Sequence, residues 1–348
     1  MKSGRTIRRT TSRTTNRAVT MDDIARLAKV SKPTVSRALS NSPLVKDATR
    51  EHVIAVARKH GYAVNRNAQK LRHKRTNTIA VSLDFHSHKQ NHISDPFIFE
   101  LLAGVAEALG DLNQDLLLCA PDHNDADAFQ QMLLSRGADG FIVLGQGHRE
   151  DMLEAFAGTG APLVVWGAPS PHTRYCVVGS DNFLGGQLAG RYFLDRKRSR
   201  FLFFGDTSFR EIQLRRDGLQ QVAAAKGSDI SIDTLSLNNF SYEAAFHAAT
   251  RYLAGIKQIP DAVFAFSDTA AMAFVCAFRD AGVEVGKNAS IVGYNDIPSA
   301  AYFSPPVTTI KQDIHQAGKQ LVSSLMRLLA GEAVPSTTIH TELIVRRT

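Results

Sequence analysis

The sequence predicts two joined regions. The first is an all-α helix-turn-helix unit at the N-terminus, which we call the headpiece. The second is a larger α/β core of two doubly wound parallel-sheet subdomains. Three observations predict this division: positive charge is concentrated before residue 76, capped helical patterns fill residues 19–61, and apolar strands alternate with amphipathic helices from residue 77 onward.

Charge separates the two regions. Residues 1–75 hold 19 Lys and Arg against 4 Asp and Glu, whereas the remaining chain holds 22 against 29. A basic module attached to a mildly acidic globular domain is typical of proteins that bind a polyanion. A disordered basic tail would account for residues 1–18, which are rich in Arg, Thr and Ser, but not for residues 19–75, which carry helical patterning.

Cap signals define three short helices in the headpiece. Thr20 is a natural N-cap for the first helix, and Ser31 caps a second helix that has Pro33 in its first turn. A third helix is predicted from about Lys46 to His60, with Gly61 as its stop. The side chains expected to face inward are Ile24, Ala25, Leu27, Ala28, Val35, Ala38, Leu39, Val53, Ile54, Val56 and Ala57.

The domain boundaries follow from these patterns. We expect a disordered tail over residues 1–18, the headpiece over 19–64, a hinge over 65–76 and the core over 77–348. About ten strand–helix units exceed one comfortable doubly wound sheet, so the core is predicted to contain two subdomains facing a cleft. The N-subdomain is predicted to comprise residues 77–178 and 308–331, and the C-subdomain residues 179–307 and 332–348.

Several classes of protein are disfavoured. The chain has no long apolar stretch and no apolar segment after its basic N-terminus, so neither a membrane span nor a secretory signal is expected. Cys119, Cys176 and Cys276 are odd in number and far apart, as in reduced cytoplasmic proteins. There is no G-x-G-x-x-G after a strand, no P-loop, no G-x-S-x-G and no H-E-x-x-H, so we expect neither an enzyme nor a cofactor.

The strongest sequence signal is the A-x-x-A-x-V-S-x-x-T-V-S-R-x-L spacing within residues 19–72, followed by GY-x-x-N. This segment closely resembles the headpiece and hinge of the Lac/Gal repressor family. The likeness continues through SDPFIFELLAGVAEAL, VGSDNFLGGQLAGRYF, FAFSDTAAMAF and IVGYNDIPSAAYFSPPVTTIKQD, so it covers about residues 19–348. It implies a periplasmic-binding-protein-like core and a bacterial DNA-binding transcription regulator, in the cytoplasm at the nucleoid and expected to act as a repressor.

The resemblance assigns the DNA contacts. The second helix is expected to lie in the major groove, where Lys32, Pro33 and Arg37 occupy the base-reading positions. Arg37 can grip guanine bidentately, while Pro33 can read only shape or a thymine methyl. Phosphate-positioning contacts are expected from Ser31, Thr34 and Ser36, and hinge contacts from Asn65, Ala68 and Leu71. Leu71 is isolated among polar and basic residues, and the family places a minor-groove wedge there.

The resemblance also assigns the effector contacts. The predicted residues are Phe97, Ile98, Trp166, Arg215, Phe240, Ser267, Asp268, Asn295 and Gln312. Mixed donors and acceptors with aromatic faces suit a neutral sugar, and a nucleobase or nucleoside remains the alternative. Asp268 can equally be an N-cap for the helix that follows it. Two departures from the family pattern, Asn295 in place of Asp and Gly167 in place of a polar contact, put the exact ligand in doubt.

Two further expectations complete the sequence prediction. We expect a homodimer and not a tetramer, because a palindromic operator needs two headpieces and no heptad helix follows the last predicted strand. Residues 84–95 resemble an insertion after the first core strand. Asp84, His86, His88 and His92 fit no standard metal spacing, so a solvated loop at the cleft rim is expected and no metal site. A DNA-binding protein without a regulatory ligand remains an open alternative.

Overall fold

The computed structural model describes residues 19–40, 42–62, 75–84, 95–120, 125–226, 230–237 and 239–348. The chain divides into two compact units, Met1–Lys74 and Arg75–Thr348. The predicted tail, most of the predicted hinge and most of the predicted insertion lie outside the described residues. No helix among the described residues is both long and apolar enough to cross a membrane.

The headpiece contains three helices, α1 (Met21–Ala28), α2 (Lys32–Leu39) and α3 (Asp47–Lys59). Thr20 and Asp23 form a reciprocal capping box at the start of α1, in which each side chain accepts a hydrogen bond from the other's backbone N–H. Ser31 caps α2 by accepting a hydrogen bond from the Thr34 backbone N–H. Gly61 follows α3 with a φ of +63°, as expected for a helix stop.

A small apolar core holds these three helices together. It consists of Ile24, Ala28, Val35, Ala38, Val45, Val53 and Ala57. Two residues predicted to face inward do not do so, because Leu27 is 44% exposed and Ile54 is 41% exposed. Each lies one position from a buried residue, and a step of one residue turns a side chain by about a quarter of the helix circumference.

The core unit alternates strands and helices. In chain order its elements are β1 (Thr78–Leu83), α4 (Pro96–Asp111), β2 (Asp115–Leu118), α5 (Ala126–Leu134), β3 (Gly140–Leu144), α6 (Glu150–Ala157), β4 (Leu163–Trp166), β5 (Cys176–Ser180), α7 (Asn182–Asp195), β6 (Arg200–Phe204), α8 (Arg210–Lys226), β7 (Ser231–Leu235), α9 (Tyr242–Gly255), β8 (Ala262–Ala265), α10 (Asp268–Asp280), β9 (Ser290–Asn295), α11 (Pro298–Tyr302), β10 (Thr308–Gln312), α12 (Ile314–Leu329), β11 (Thr337–Ile339) and β12 (Thr341–Ile344).

The strands form two sheets, as predicted, and each sheet has six strands. The first has the order β11-β5-β4-β3-β1-β2 and is parallel throughout, and the second has the order β12-β10-β9-β8-β6-β7. In the second sheet only β12 runs antiparallel to its neighbour among the described strands. The chain crosses from the first sheet to the second after β5. It returns to the first sheet after β10, and it crosses to the second again between β11 and β12.

Sheet membership corrects the predicted subdomain boundaries in two places. Strand β10 was expected in the N-subdomain, but it pairs with β9 and β12 in the second sheet. Strand β11 was expected in the C-subdomain, but it pairs with β5 in the first sheet. Both strands lie beside points where the chain crosses between the sheets. There, the sheet that a strand joins depends on its backbone hydrogen bonds with a neighbouring strand, and its position in the chain is a poor guide.

Two glycines set the spacing between α7 and α8. A β-carbon at Gly186 would overlap the backbone carbonyl oxygen of Arg215, and one at Gly218 would overlap that of Phe183. Only glycine permits so close an approach of two helix backbones. This contact fixes α8 against α7 and thereby fixes the depth at which the Arg215 side chain lies.

Candidate functional site

Helix α2 presents two different faces. Val35 and Ala38 are buried against the headpiece core, whereas Lys32, Pro33 and Arg37 are exposed. The three predicted base-reading residues therefore lie on the solvent side of one short helix. A helix with this division can enter the DNA major groove without disturbing the core of its own domain.

The two basic side chains on α2 differ in their surroundings. The Arg37 guanidinium makes no hydrogen bond or ion pair within the described part of the chain. The Lys32 ammonium lies 2.8 Å from an Asp22 carboxylate oxygen on α1, and both side chains are more than half exposed. An exposed pair of this kind is weak and leaves Lys32 able to turn toward a phosphate or base.

The predicted phosphate-positioning residues lie at the start and along the edge of α2. The Ser31 and Thr34 hydroxyls are hydrogen-bonded to each other at 2.8 Å, and Ser36 is half-buried. They lie beside the first backbone N–H groups of α2, which favour phosphate. The predicted hinge contacts Asn65, Ala68 and Leu71 lie outside the described residues.

The core unit contains a cavity of about 130 Å³ between its two sheets. It lies where the strands end, as expected for a ligand site in an open α/β fold. Its lining residues are Asp84, Asp95, Phe97, Ile98, Leu144, Gly145, Trp166, Phe209, Glu211, Ile212, Arg215, Phe240, Phe266 and Asn295. Six of the nine predicted effector contacts are among them.

Aromatic rings line the cavity in two groups. The first group is Phe97 on α4 and Trp166 at the end of β4, whose ring centroids are 6.1 Å apart. Phe240 contacts Phe209 at 5.1 Å and Phe266 at 4.8 Å, which forms a second group. The sequence missed Phe209 and Phe266, which lie in loops before α8 and after β8. Rings in both groups can pack against the faces of a small cyclic ligand.

Arg215 is the buried cation of the cavity. Its Nε donates to Asn182 Oδ1 at 2.9 Å, and its Nη1 donates to the Phe266 carbonyl oxygen. The guanidinium carbon lies 3.5 Å from the centroid of the Tyr294 ring, an interaction that stabilises a desolvated cation. Burial lowers the pKa of Arg215, while Tyr294 and Glu211 act in the opposite direction.

Carboxylates are the feature that the sequence missed. Asp95 is the N-cap of α4, and one of its oxygens accepts a hydrogen bond from the Phe97 backbone N–H at 3.1 Å. Glu211 is in the first turn of α8. Burial raises the pKa of both carboxyl groups, and Arg215 opposes that rise in each. Helix starts favour acidic residues, so on sequence alone both positions resemble ordinary capping residues.

Asp84 is the third carboxylate of the lining and has its own cation. Arg149 Nε lies 3.5 Å from an Asp84 oxygen, and both side chains are less than a tenth exposed. Arg149 also donates to the Gly145 carbonyl oxygen at 2.8 Å. Burial lowers the pKa of Arg149, and Asp84 opposes that shift. The charge of Asp84 is therefore balanced within the protein.

Three predicted effector residues do not line the cavity. Gln312 donates from Nε2 to Asn295 Oδ1 at 2.7 Å and accepts from the Ser180 hydroxyl, so it orients Asn295 from behind. Ser267 is the N-cap of α10. Residues at strand ends of both sheets line the cavity, but the direction of each side chain depends on tertiary packing.

Asp268 is a structural residue. Its carboxylate accepts hydrogen bonds from the Ile297 backbone N–H at 2.9 Å and from the Thr309 hydroxyl. It is the first residue of α10, and the capping role that the sequence suggested belongs to its neighbour. Burial raises the Asp268 pKa to about 8, although its hydrogen bonds oppose the shift.

Gly167 also has a structural explanation. A β-carbon at this position would collide with the Gln146 side chain and lie close to Glu211.

Among the described residues no group of three His, Cys, Asp or Glu side chains could hold a metal ion. His86, His88 and His92 of the predicted insertion lie outside those residues.

Two family models match this chain, one in each unit. Residues 20–65 match the bacterial regulatory proteins of the lacI family, and residues 191–348 match the periplasmic binding protein-like domain. The HTH-type transcriptional repressor PurR of Photobacterium profundum is 31% identical over 88% of this chain and 91% of its own length. The HTH-type transcriptional regulator CelR of Thermobifida fusca is 28% identical over 95% of this chain and 98% of its own length.

Solved structures agree with this assignment. The lac repressor dimer bound to operator and the anti-inducer ONPF superposes with a TM-score of 0.81 at 24% identity, covering 95% of this chain and 99% of that chain. This likeness confirms the predicted fold class. A complex of the regulator CelR with cellobiose superposes with a TM-score of 0.67 at 26% identity, covering 94% and 99%. The chain therefore belongs to the lacI family of bacterial regulatory proteins and is a DNA-binding transcription regulator.

Proposed function

We propose that this protein is a transcriptional repressor that binds a pseudo-palindromic operator as a homodimer and responds to a small carbohydrate in the core cavity. One observation carries the proposal: the same chain holds a headpiece helix with an exposed basic face and an aromatic-lined cavity around buried Arg215. The named relatives support it, since one is a repressor, one is a dimer bound to operator and one binds cellobiose. Because its proposed target is operator DNA, we propose that the protein acts in the bacterial cytoplasm at the nucleoid.

The proposed DNA contacts follow from the exposed face of α2. Arg37 reads guanine, Lys32 contacts a guanine or phosphate after leaving Asp22, and Pro33 contacts a thymine methyl. The Ser31, Thr34 and Ser36 hydroxyls position the backbone. We further propose that Asn65, Ala68 and Leu71 in the hinge contact the minor groove.

The Leu71 wedge makes a testable prediction. Leu71→Ala should weaken binding to operator much more than binding to random duplex, because a wedge between base pairs stabilises only the kinked specific complex. Fluorescence anisotropy with both duplexes at one salt concentration measures the two affinities. Equal losses on both would show that Leu71 only packs against protein.

Exposed apolar side chains support the homodimer. Leu117 and Leu118 lie on β2, an edge strand of the first sheet, and are 39% and 46% exposed. Leu112, just before this strand, is 49% exposed. Uncovered apolar edges are rare in monomers, so we propose that a second copy covers this edge. Light scattering should give a dimer mass for the wild type.

The volume of the cavity limits the size of the effector. Pockets for drug-sized ligands span about 300–1,000 Å³, so a cavity of about 130 Å³ favours one sugar ring over a disaccharide. Carboxylate and amide oxygens from Asp95, Glu211 and Asn295 can accept hydrogen bonds from sugar hydroxyls. The two aromatic groups could also stack on a nucleobase, which keeps that class as the alternative.

The proposal can be tested in two stages. Operators are first selected from a random duplex library with the full chain. Their affinity is then measured by anisotropy with and without monosaccharides, nucleosides and nucleobases. We expect a two-fold symmetric site and at least one monosaccharide that changes operator affinity about tenfold or more. If DNA binds and no ligand changes its affinity, the protein is a non-regulatory DNA-binding protein.

A further inference from the structure

The charged side chains that line the cavity in the described part of the chain are not balanced. Among the described lining residues are three carboxylates, Asp84, Asp95 and Glu211, and one guanidinium, Arg215. The Asp84 charge is matched by Arg149 at 3.5 Å. Two carboxylates therefore remain for a single buried cation.

Of these two carboxylates, Glu211 has fewer hydrogen-bond partners in the described part of the chain. It interacts electrostatically with Arg215 and accepts a hydrogen bond only from its own backbone N–H. It forms no ion pair with another side chain in the described ranges. The Arg215 guanidinium is instead engaged by Asn182, the Phe266 carbonyl oxygen and the Tyr294 ring.

Asp95 also has acceptor capacity left. One oxygen is used by the Phe97 backbone N–H at 3.1 Å, and the other lies 3.5 Å from Asn295 Nδ2, which is at the limit of a hydrogen bond. Asn295 in turn is held by Gln312. Among the described lining residues, Asp95 and Glu211 thus offer carboxylate oxygens at the starts of α4 and α8 that can accept further hydrogen bonds.

We propose that the effector carries a protonated amine on a small sugar ring, and that this ammonium group binds between the Glu211 and Asp95 carboxylates. The inference rests on the proposed function of the cavity and deepens it. An ammonium group supplies three donors and no acceptor, and it brings a positive charge to the two carboxylates. Both carboxylates are half-buried, and an ion pair with hydrogen bonds stabilises an ionised carboxylate that is partly removed from water.

The aromatic lining favours the same ligand class. Phe209, Phe240 and Phe266 lie on one side of the cavity and Phe97 and Trp166 on the other. Apolar faces of a sugar ring pack on such rings, and a cation close to a ring face gains a further attraction. An anionic ligand such as a sugar phosphate or uronate would face uncompensated repulsion from the carboxylates.

Trp166 is the only tryptophan in the chain and lines the cavity, so its fluorescence reports binding directly. The probes are D-glucosamine, D-galactosamine and D-mannosamine. Each is compared with its parent neutral sugar and its N-acetyl derivative over a pH series, because binding requires a protonated amine together with ionised Asp95 and Glu211 carboxyls, whose pKa burial raises. Hypoxanthine and adenine complete the panel. We expect at least one amino sugar to bind about tenfold or more tighter than both of its neutral counterparts.

Two variants test the residues. Glu211→Gln keeps the side-chain size, and Asp95→Asn keeps an N-cap, so both should fold, which circular dichroism checks. Each should weaken amino-sugar binding about tenfold or more and leave neutral-sugar binding nearly unchanged. Glu243→Gln, an exposed residue of α9, is the matched control and should change neither.

The outcomes separate this inference from the proposed function. Equal or tighter binding of a neutral sugar or a nucleobase overturns the amine assignment, as does the absence of binding by every amino sugar. Amino-sugar binding that is unchanged in Glu211→Gln also overturns it. If a neutral sugar binds and changes operator affinity, the regulatory proposal stands alone. If an amino sugar binds as expected without changing operator affinity, the regulatory proposal fails instead.

Discussion

Arginine has different surroundings in the two units. On α2 the Arg37 side chain extends into solvent without a partner in the described ranges, whereas Arg215 in the core is buried and held by an amide, a carbonyl and an aromatic ring. An exposed cation retains its hydration until DNA replaces it. A buried one must be satisfied by the fold before any ligand arrives.

This difference predicts that mutations of charged residues have different effects in the headpiece and in the cavity. In the headpiece a charged residue can be changed with little effect on folding, so its loss reports binding alone. In the cavity, a change at Arg215 affects both folding and binding, since this side chain has structural partners in Asn182 and the Phe266 carbonyl oxygen. The following predictions use this contrast, in order of decreasing expected effect.

Arg37→Ala should give the largest effect, and on operator affinity only. A bidentate guanine contact contributes about 1–3 kcal/mol, so loss from both half-sites of a dimer should cost about 2–6 kcal/mol. Anisotropy with the selected operator measures it, and the thermal melting temperature should stay unchanged. Arg58→Ala removes an exposed charge from α3 and serves as control. Similar losses in both variants would show that Arg37 contributes only general charge.

Arg215→Ala should abolish ligand binding and also destabilise the core. It leaves Asn182 Oδ1 and the Phe266 carbonyl oxygen without their donor, so we expect a loss of roughly 2–5 kcal/mol in the free energy of unfolding. Urea unfolding followed by Trp166 fluorescence measures it. Arg216→Ala, on the same helix with only an exposed hydrogen bond to Thr234, should cost little. A fully stable Arg215→Ala would contradict the structural role assigned to this side chain.

The sequence predicted elements better than side-chain directions. Thr20, Ser31 and Gly61 defined the headpiece helices because caps are local signals. The alternation of apolar strands with amphipathic helices predicted two sheets, because the period of apolar residues is also a local signal. The placement of β10 and β11 was predicted wrongly, because it depends on pairing with strands that are distant in sequence.

The same distinction explains which cavity residues were predicted from the sequence and which were missed. Phe97, Trp166, Arg215, Phe240 and Asn295 were identified from the family resemblance, which carries tertiary information. Asp95 and Glu211 were missed because an acid at a helix start has a sufficient local explanation. The resemblance assigned Ser267, Asp268 and Gln312 to the effector site as well, but the structure shows their side chains hydrogen-bonded within the fold and outside the cavity lining.

The buried carboxyl of Asp268 predicts a pH dependence of core stability. Its pKa in the folded protein is about 8, above the ordinary value of 3.8. The folded state therefore holds a proton that the unfolded state releases, and stability is lost as pH rises from about 4 through about 8. Asp268→Asn should flatten this decline in urea unfolding, whereas Asp280→Asn, at the exposed end of α10, should not. An unchanged slope in Asp268→Asn would exclude this carboxyl as its source.

The smallest effect is expected at the exposed pair on the headpiece. Asp22→Asn removes the partner of Lys32, but both side chains are more than half exposed. The free energy of unfolding should therefore change by no more than about 1 kcal/mol. Chemical denaturation followed by circular dichroism at low and high salt measures this. A larger change would mean that surface pairs in the headpiece behave like the buried contacts of the core.

The most direct test of the account is the operator affinity of the wild-type protein with and without the ligand that saturates the Trp166 signal. We predict a change of about tenfold or more at saturation, because ligand occupancy and DNA binding are coupled through one chain. The change should be absent in Phe240→Ala, which loses part of the cavity lining, at the same ligand concentration. If Trp166 reports saturation and the wild-type operator affinity stays constant, the cavity does not control the headpiece and the account is wrong.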